Sequence, residues 1–189
     1  MPAPLHVADP ILTDRLDLRR PSAADLDDLH AVSSDPRLWL HYPAKRRVEP
    51  SETAEVIERW RREWEADGLS TWAVRVRGHD RVIGYGGCGK LGGGVVWNLG
   101  YRLAADQHGH GYATELAAEA MRMARLVDPD APIVAYLLEH NTASARVATK
   151  LGMALVHRGP DAGNPDPAAI RLVYADRPLA PDELAAAMA

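Results

Sequence analysis

Between residues 95 and 126 the period of the chain changes, and it changes across two glycines. VVWNLGYRL (95–103) is a strand-type run, whereas YATELAAEAMRMARL (112–126) repeats its apolar residues at helical spacing, with Leu116, Ala117, Ala120 and Ala124 on one stripe. The junction between them reads AADQHGHG (104–111). Gly109 and Gly111 let backbone N–H groups approach a ligand with no Cβ in the way, and the helix that opens there offers unbonded N–H groups and the positive end of its dipole. That is a seat for phosphate. An ordinary strand-to-helix turn has the same spacing, and spacing alone does not separate the two. Two better-known phosphate motifs are excluded: the dinucleotide fingerprint GxGxxG needs a glycine where Thr114 stands, and GxxxxGK followed by Ser or Thr occurs nowhere.

The rest of the chain has room for one domain around that junction. With 189 residues, 47% of them hydrophobic, a single core over residues 1–189 is expected, with 1–10 and 180–189 peripheral. A net charge of -4 from 22 basic and 26 acidic residues gives no general attraction to nucleic acid or to an anionic membrane, so an acidic ligand must be held locally. A lone Cys88 rules out an internal disulfide, no apolar run nears the length of a membrane span, and the first ten residues lack a signal-peptide core. A cytoplasmic protein is the expectation. Phenylalanine is absent, leaving five Trp and six Tyr to carry the aromatic packing.

Residues 11–20 alternate as a first strand that Pro21 stops, Ser22 caps a helix that Asp35-Pro36 ends, and a longer helix runs from Ser51 to its closing Gly68. Trp39, Trp60 and Trp64 read first as packing residues. Strands over 72–77, 82–89 and 95–103 follow with loops short enough to make them antiparallel neighbours. After the helix over 111–126 come an almost wholly apolar strand at 133–138, expected to be covered on both faces, a helix at 142–151 with Gly152 after it, and a strand pair at 155–158 and 170–175. The Ala-rich end from Pro181 reads as a short helix or a frayed tail.

The junction resembles the phosphate loop of the GNAT acyl-CoA N-acyltransferases, written as Gln or Arg, two free positions, Gly, one free position, then Gly or Ala. Here the six places hold His108, Gly109, His110, Gly111, Tyr112 and Ala113: the glycine and alanine match, while His108 departs from the usual Gln or Arg and Gln107 lies one place early. A second block, EHNTASARVATKLGM (139–153), is similar to the NxxSxxxxxKLGF signature of the branch that acetylates ribosomal-protein N-termini, and TDRLDLRRPSAADLDDL (13–29) matches at the other end. The resemblance covers nearly the whole chain. It implies an α/β (α+β) domain: a mixed sheet of about seven strands, helices on both faces, and a bulged fourth strand splayed from the fifth so that a pantetheine arm inserts between them. It implies acetyl-CoA, or another acyl-CoA, as co-substrate and no metal. Backbone groups of Arg102 and Leu103 would meet the arm, His108, Gly109, His110, Gly111, Tyr112, Ala113 and Thr114 the pyrophosphate, and Asn141 and Arg146 would complete the set. The acceptor would be a small-molecule amine or a peptide N-terminus, with no nucleic-acid or membrane partner and a homodimer left open.

Making an amide from a thioester needs a neutral amine, a donor for the developing oxyanion and a proton for the departing thiolate. By the resemblance the donor is the Leu103 N–H and the candidate acid is Ser144, beside Asn141; three residues apart at a helix start, that pair is also an ordinary N-cap. The base is where the sequence departs. Positions that carry Glu in many relatives hold Asn98 and Tyr136 here, and Glu139 is the nearest carboxylate in sequence. His108 and His110 are expected to face the pyrophosphate, since a His-x-His pair without a third ligand is poor evidence for a metal. Cys88 has no local His or Asp to activate it. The missing carboxylates leave a second class open, a GNAT-fold protein that binds CoA or an acylated ligand without turnover.

Overall fold

The computed structural model describes residues 7–40, 42–162 and 164–188. Within them β1 (Ile11–Leu12), β2 (Leu16–Arg19), β3 (Thr71–Val76), β4 (Val82–Leu91), β5 (Val96–Leu103), β6 (Ile133–Leu138), β7 (Ala154–Pro160) and β8 (Ile170–Ala175) form one sheet in the order β1-β2-β3-β4-β5-β6-β8-β7. Neighbours are antiparallel except β5 and β6, which run parallel. The strand expected over 11–20 is two strands. Thr13 N–H donates to the Leu16 carbonyl at 3.0 Å and turns the chain back, so that Ile11 pairs with Leu18.

Helices α3 (Tyr112–Val127) and α4 (Thr142–Lys150) cover one face; α1 (Leu26–Ser34), α2 (Pro50–Asp67) and α5 (Pro181–Met188) cover the other. Under α3 the side chains of Leu16, Trp72, Trp97, Leu116 and Ile133 are fully buried. Truncating a tryptophan so placed costs about 3–5 kcal/mol. On the opposite face Leu29, Val56, Ile57 and Trp60 pack on Ala73 and Val82, and Trp39, Trp60 and Trp64 are all buried, as packing residues should be. The C-terminal segment is a helix held on Val96, Val134 and Val173, not a frayed tail.

Local signals set the helix ends. Gly68 closes α2 in the left-handed conformation, at φ 73°, which a Cβ would disfavour. After α4 the chain makes a Schellman turn: Gly152, at φ 79°, donates to the Thr149 carbonyl and Met153 to that of Ala148. Strand β6 is covered on both faces except at Tyr136, and its last residue, Leu138, is buried again. Ile133, Val134 and Ala135 are buried, whereas Tyr136 is 44% exposed, because the strand leaves its neighbour at that point.

Candidate active site

Strands β5 and β6 pair at only two positions, Trp97 with Ile133 and Asn98 with Val134, and then diverge. On its other side β5 stays in register with β4 through to Leu103, opposite Gly84. Two hydrogen bonds set the phase of β5: Ala104 N–H donates to the Ile83 carbonyl and Trp97 N–H to the Pro132 carbonyl, both at 2.8 Å. Because antiparallel residues alternate between bonded and non-bonded pairs, even-numbered residues of β5 bond β4 and odd-numbered ones turn their N–H groups toward β6. Past the last pair, the N–H groups of Tyr101 and Leu103 therefore point into an open slot. An extended arm can hydrogen-bond there as a strand would.

Two expectations need correcting at this point. The backbone of Arg102 belongs to the ladder with β4, opposite Tyr85, and its side chain lies on the far face, with the guanidinium 3.3 Å from the centre of the Trp39 ring. The bulge expected on the splayed strand lies one strand away, where Ile83 is the extra residue between the pairs Gly84–Val74 and Val82–Arg75.

The slot ends at the glycine junction. Gly109 and Gly111 have φ of 83° and 80°, and Gly111 is the N-cap of α3 with no side chain capping it. The N–H groups of Gly111, Tyr112 and Ala113 have no acceptor among the described residues, and a Cβ on Gly109 would stand in open space. Thr114 differs, because its N–H already donates to the Gly111 carbonyl at 3.1 Å. Arg15 holds the loop from outside: its Nη1 donates to the His110 carbonyl at 2.7 Å and its Nε to Glu115 at 2.7 Å. Burial pushes the Glu115 carboxyl up, but hydrogen bonds from Thr13 and Arg15 together bring it below its ordinary value. The His110 ring stacks on Tyr112. His108, expected to face the pyrophosphate, has one ring nitrogen engaged elsewhere. Its Nε2 lies 3.0 Å from the Leu103 carbonyl, which can only accept, so Nε2 carries the hydrogen and ties the loop to β5.

On the α4 side Asn141 is the N-cap, its side chain accepting from the Ser144 N–H at 3.2 Å. The Ser144 hydroxyl is thereby left for other work, and it lies near the Tyr101 phenol on β5. Burial raises the pKa of that phenol and the Ser144 hydroxyl offsets part of the rise. Tyr101 is a residue that the sequence reading missed, although it shares the parity of Leu103. Arg146 is exposed and reaches back to Thr142 one turn earlier.

Glu139 is not placed as a base. It is 47% exposed and held by both Nε and Nη2 of Arg158, whose hydrogen bonds, and then its charge, keep the carboxyl below its ordinary value. A carboxylate so paired is a weak proton acceptor. Tyr136 lies under the Arg171 guanidinium, 5.0 Å from the ring centre, on the same face as Asn98. A carboxylate does approach from α2: Glu63 Oε2 accepts from Ser70 at 2.6 Å and lies 3.7 Å from where a Cβ on Gly89, the ladder partner of Asn98, would stand. The Cys88 thiol is buried and shifted far upward by desolvation, which removes its nucleophilicity. No group of three or more potential metal ligands occurs among the described residues.

The acetyltransferase (GNAT) domain family matches residues 15–154. The chain belongs to the GNAT acetyltransferases. The uncharacterised protein YkkB of Bacillus subtilis is 27% identical over 158 residues, covering 76% of this chain and 84% of YkkB. Among solved structures, an acetyltransferase from Agrobacterium tumefaciens superposes with a TM-score of 0.71 at 26% identity, over 91% of this chain and 96% of its own. RimL, a ribosomal L7/L12 alpha-N-protein acetyltransferase solved with coenzyme A, gives 0.72 at 16% identity over 87% and 95%. In this GNAT acetyltransferase no helix among the described residues is long and apolar enough to cross a membrane.

Proposed function

We propose that the chain transfers the acetyl group of acetyl-CoA to a primary amine of low pKa, a peptide N-terminus or a small-molecule amine, in a ternary complex. The observation that carries this reading is the slot itself: unbonded N–H groups of Tyr101 and Leu103 run directly into the unbonded N–H groups of Gly111, Tyr112 and Ala113. A thioester arm with a pyrophosphate at its far end matches that series of donors, and RimL, which shares the fold, was solved in complex with coenzyme A.

The co-substrate supplies the activated acyl carbonyl. The Leu103 N–H is placed to donate to its oxygen as charge develops there. Ser144 holds a proton for the leaving sulfur, and because a thiol has a pKa near 8.5 that sulfur needs only a weak acid. Deprotonation of the amine receives less help, since Asn98 and Tyr136 stand where a carboxylate would and Glu139 is engaged by Arg158. Such a site favours amines that are already partly neutral. The test is release of free CoA from acetyl-CoA by the purified protein against a panel of N-terminal, amino-sugar and lysine amines. Turnover confined to lysine side chains, or hydrolysis indifferent to amine, would overturn the reading.

A further inference from the structure

Residues 36–48 contain Arg37, Lys45, Arg46 and Arg47 and no acidic residue, in a chain whose net charge is -4. The segment joins α1 to α2 on the face of β5 opposite the phosphate loop. Arg37 is neutralised by Asp35. Arg47 makes no ion pair among the described residues, the Glu52 carboxylate acting on it only at longer range: its Nη1 meets the Ser33 hydroxyl at 3.3 Å and the Tyr85 hydroxyl at 3.4 Å. Arg102 reaches the same Tyr85 oxygen at 3.5 Å.

Guanidinium groups only donate. The Tyr85 oxygen therefore accepts from both arginines, and its own O–H is directed at no acceptor among the described residues. Three donors converge, two of them charged, and all three side chains are half-buried and within reach of a ligand. Desolvation lowers the pKa of Arg102; the Tyr85 hydroxyl offsets part of that fall and the charge of Arg47 adds a little to it. Beside them a cavity of about 290 Å³ is lined by Pro36, Trp39, Leu40, Pro43 and Arg46. Exposed Gly100 and Tyr136 lie on the same face, along the mouth of the slot.

We propose that Arg47, Arg102 and Tyr85 bind an oxyanion carried by the acceptor, a carboxylate or a phosphate, so that the preferred acceptor is an anionic amine. This rests on the acyl-transfer reading, and the test separates the two. Glycyl-aspartate amide and glycyl-asparagine amide have matched attacking amines and differ by one charge; phosphoethanolamine and ethanolamine form the phosphate arm. The anionic member of at least one pair is expected to have a kcat/KM about 10- to 100-fold higher, the range that charge-assisted hydrogen bonds supply. Arg47→Gln should abolish that ratio, and Arg47→Lys should restore part of it. Calorimetry of the N-acetylated products on the CoA-loaded protein gives the same comparison without turnover. Four results would overturn the proposal: no charge preference in either arm, a preference that survives both Arg47→Gln and Arg102→Gln, an equal loss for charged and neutral acceptors, or a loss of CoA affinity with the preference intact. If no amine is acetylated the acyl-transfer reading fails, and the calorimetric ratio still decides whether the cluster binds an oxyanion.

Discussion

On the α3 side of β5 the unbonded donors are backbone atoms: N–H groups of Tyr101, Leu103, Gly111, Tyr112 and Ala113, placed by strand alternation and by two glycines in the left-handed region. On the α1–α2 side they are side chains, Arg47, Tyr85 and Arg102, brought together from a loop and two strands. Backbone donors recognise what all substrates of such an enzyme share, because their positions follow from the fold whatever the side chains are. Side-chain donors recognise what differs between acceptors. The first side should therefore respond to changes in backbone geometry or local charge, and the second to a single truncation.

The largest effect is expected in the phosphate loop. Gly109→Glu places a carboxylate where no heavy atom lies within 4 Å of the new Cβ. Like charges at about 4 Å repel by roughly 4 kcal/mol near a protein surface, so CoA should bind about 1000-fold more weakly. Gly109→Ala carries the same backbone strain, about 1–2 kcal/mol, without the charge. Calorimetry on both variants separates the causes. Equal CoA affinity in wild type and Gly109→Glu would remove the loop from the site.

Acceptor selectivity comes next. An α-amino group of pKa near 8 is about a tenth neutral at pH 7, whereas a lysine near 10.4 is neutral at only about 4 in 10,000, a ratio on the order of 250. Without a positioned carboxylate that ratio should reappear in the rates. The measurement compares a lysine-free peptide having an open N-terminus with an N-terminally blocked lysine peptide between pH 6.5 and 9.5. Faster modification of the lysine peptide at pH 7 would mean that a base exists, and Glu63→Gln would then show whether it is the α2 carboxylate beside Gly89.

What the sequence disclosed follows the same division. The glycine junction before α3 and the Asn141–Ser144 turn were legible because each is coded within a few neighbouring residues, whereas the splay of β5 from β6 was expected only from the family resemblance. Tyr101 was legible in principle, since residues two apart on a strand share a face, but the parity of β5 is fixed only by the ladder bonds at Trp97 and Ala104. Arg158 meets Glu139 from 19 residues away, and Arg47 meets Tyr85 from 38. Contacts at such separations leave no periodic trace. The turn at Thr13 escaped for a simpler reason, that alternation continues through a tight hairpin as it does through one strand.

The pair at the slot should give an intermediate effect. Ser144→Ala leaves the helix cap intact, because Asn141 caps through the Ser144 N–H and not through its hydroxyl. Turnover should fall about 10- to 100-fold with little change in the KM for acetyl-CoA, as for a group acting in the transition state. Tyr101→Phe should lower turnover less, since it changes only a hydroxyl near Ser144. Asn141→Ala should instead lower stability by about 1 kcal/mol. A Ser144→Ala enzyme with wild-type turnover would assign the leaving-group proton to solvent.

The smallest effect concerns the strap outside the phosphate loop. Glu115 takes hydrogen bonds from Thr13 Oγ1 at 2.6 Å and from the Arg15 backbone at 2.8 Å, in addition to the Arg15 guanidinium. Its folded-state pKa lies below the ordinary value, so the ionised form is favoured by folding. The stabilisation is therefore complete above the unfolded pKa of about 4.3 and is lost as pH falls through the lower folded value. Glu115→Gln should lower the urea midpoint at pH 7 and flatten the decline in stability below about pH 4.3. Since the strap holds the His110 carbonyl through Arg15, the variant should also bind CoA a few-fold more weakly at pH 7. An unchanged midpoint at pH 7 with the same acid decline as wild type would show that the glycine junction keeps its shape unaided, and would strengthen the contrast between a backbone-built wall and a side-chain-built one.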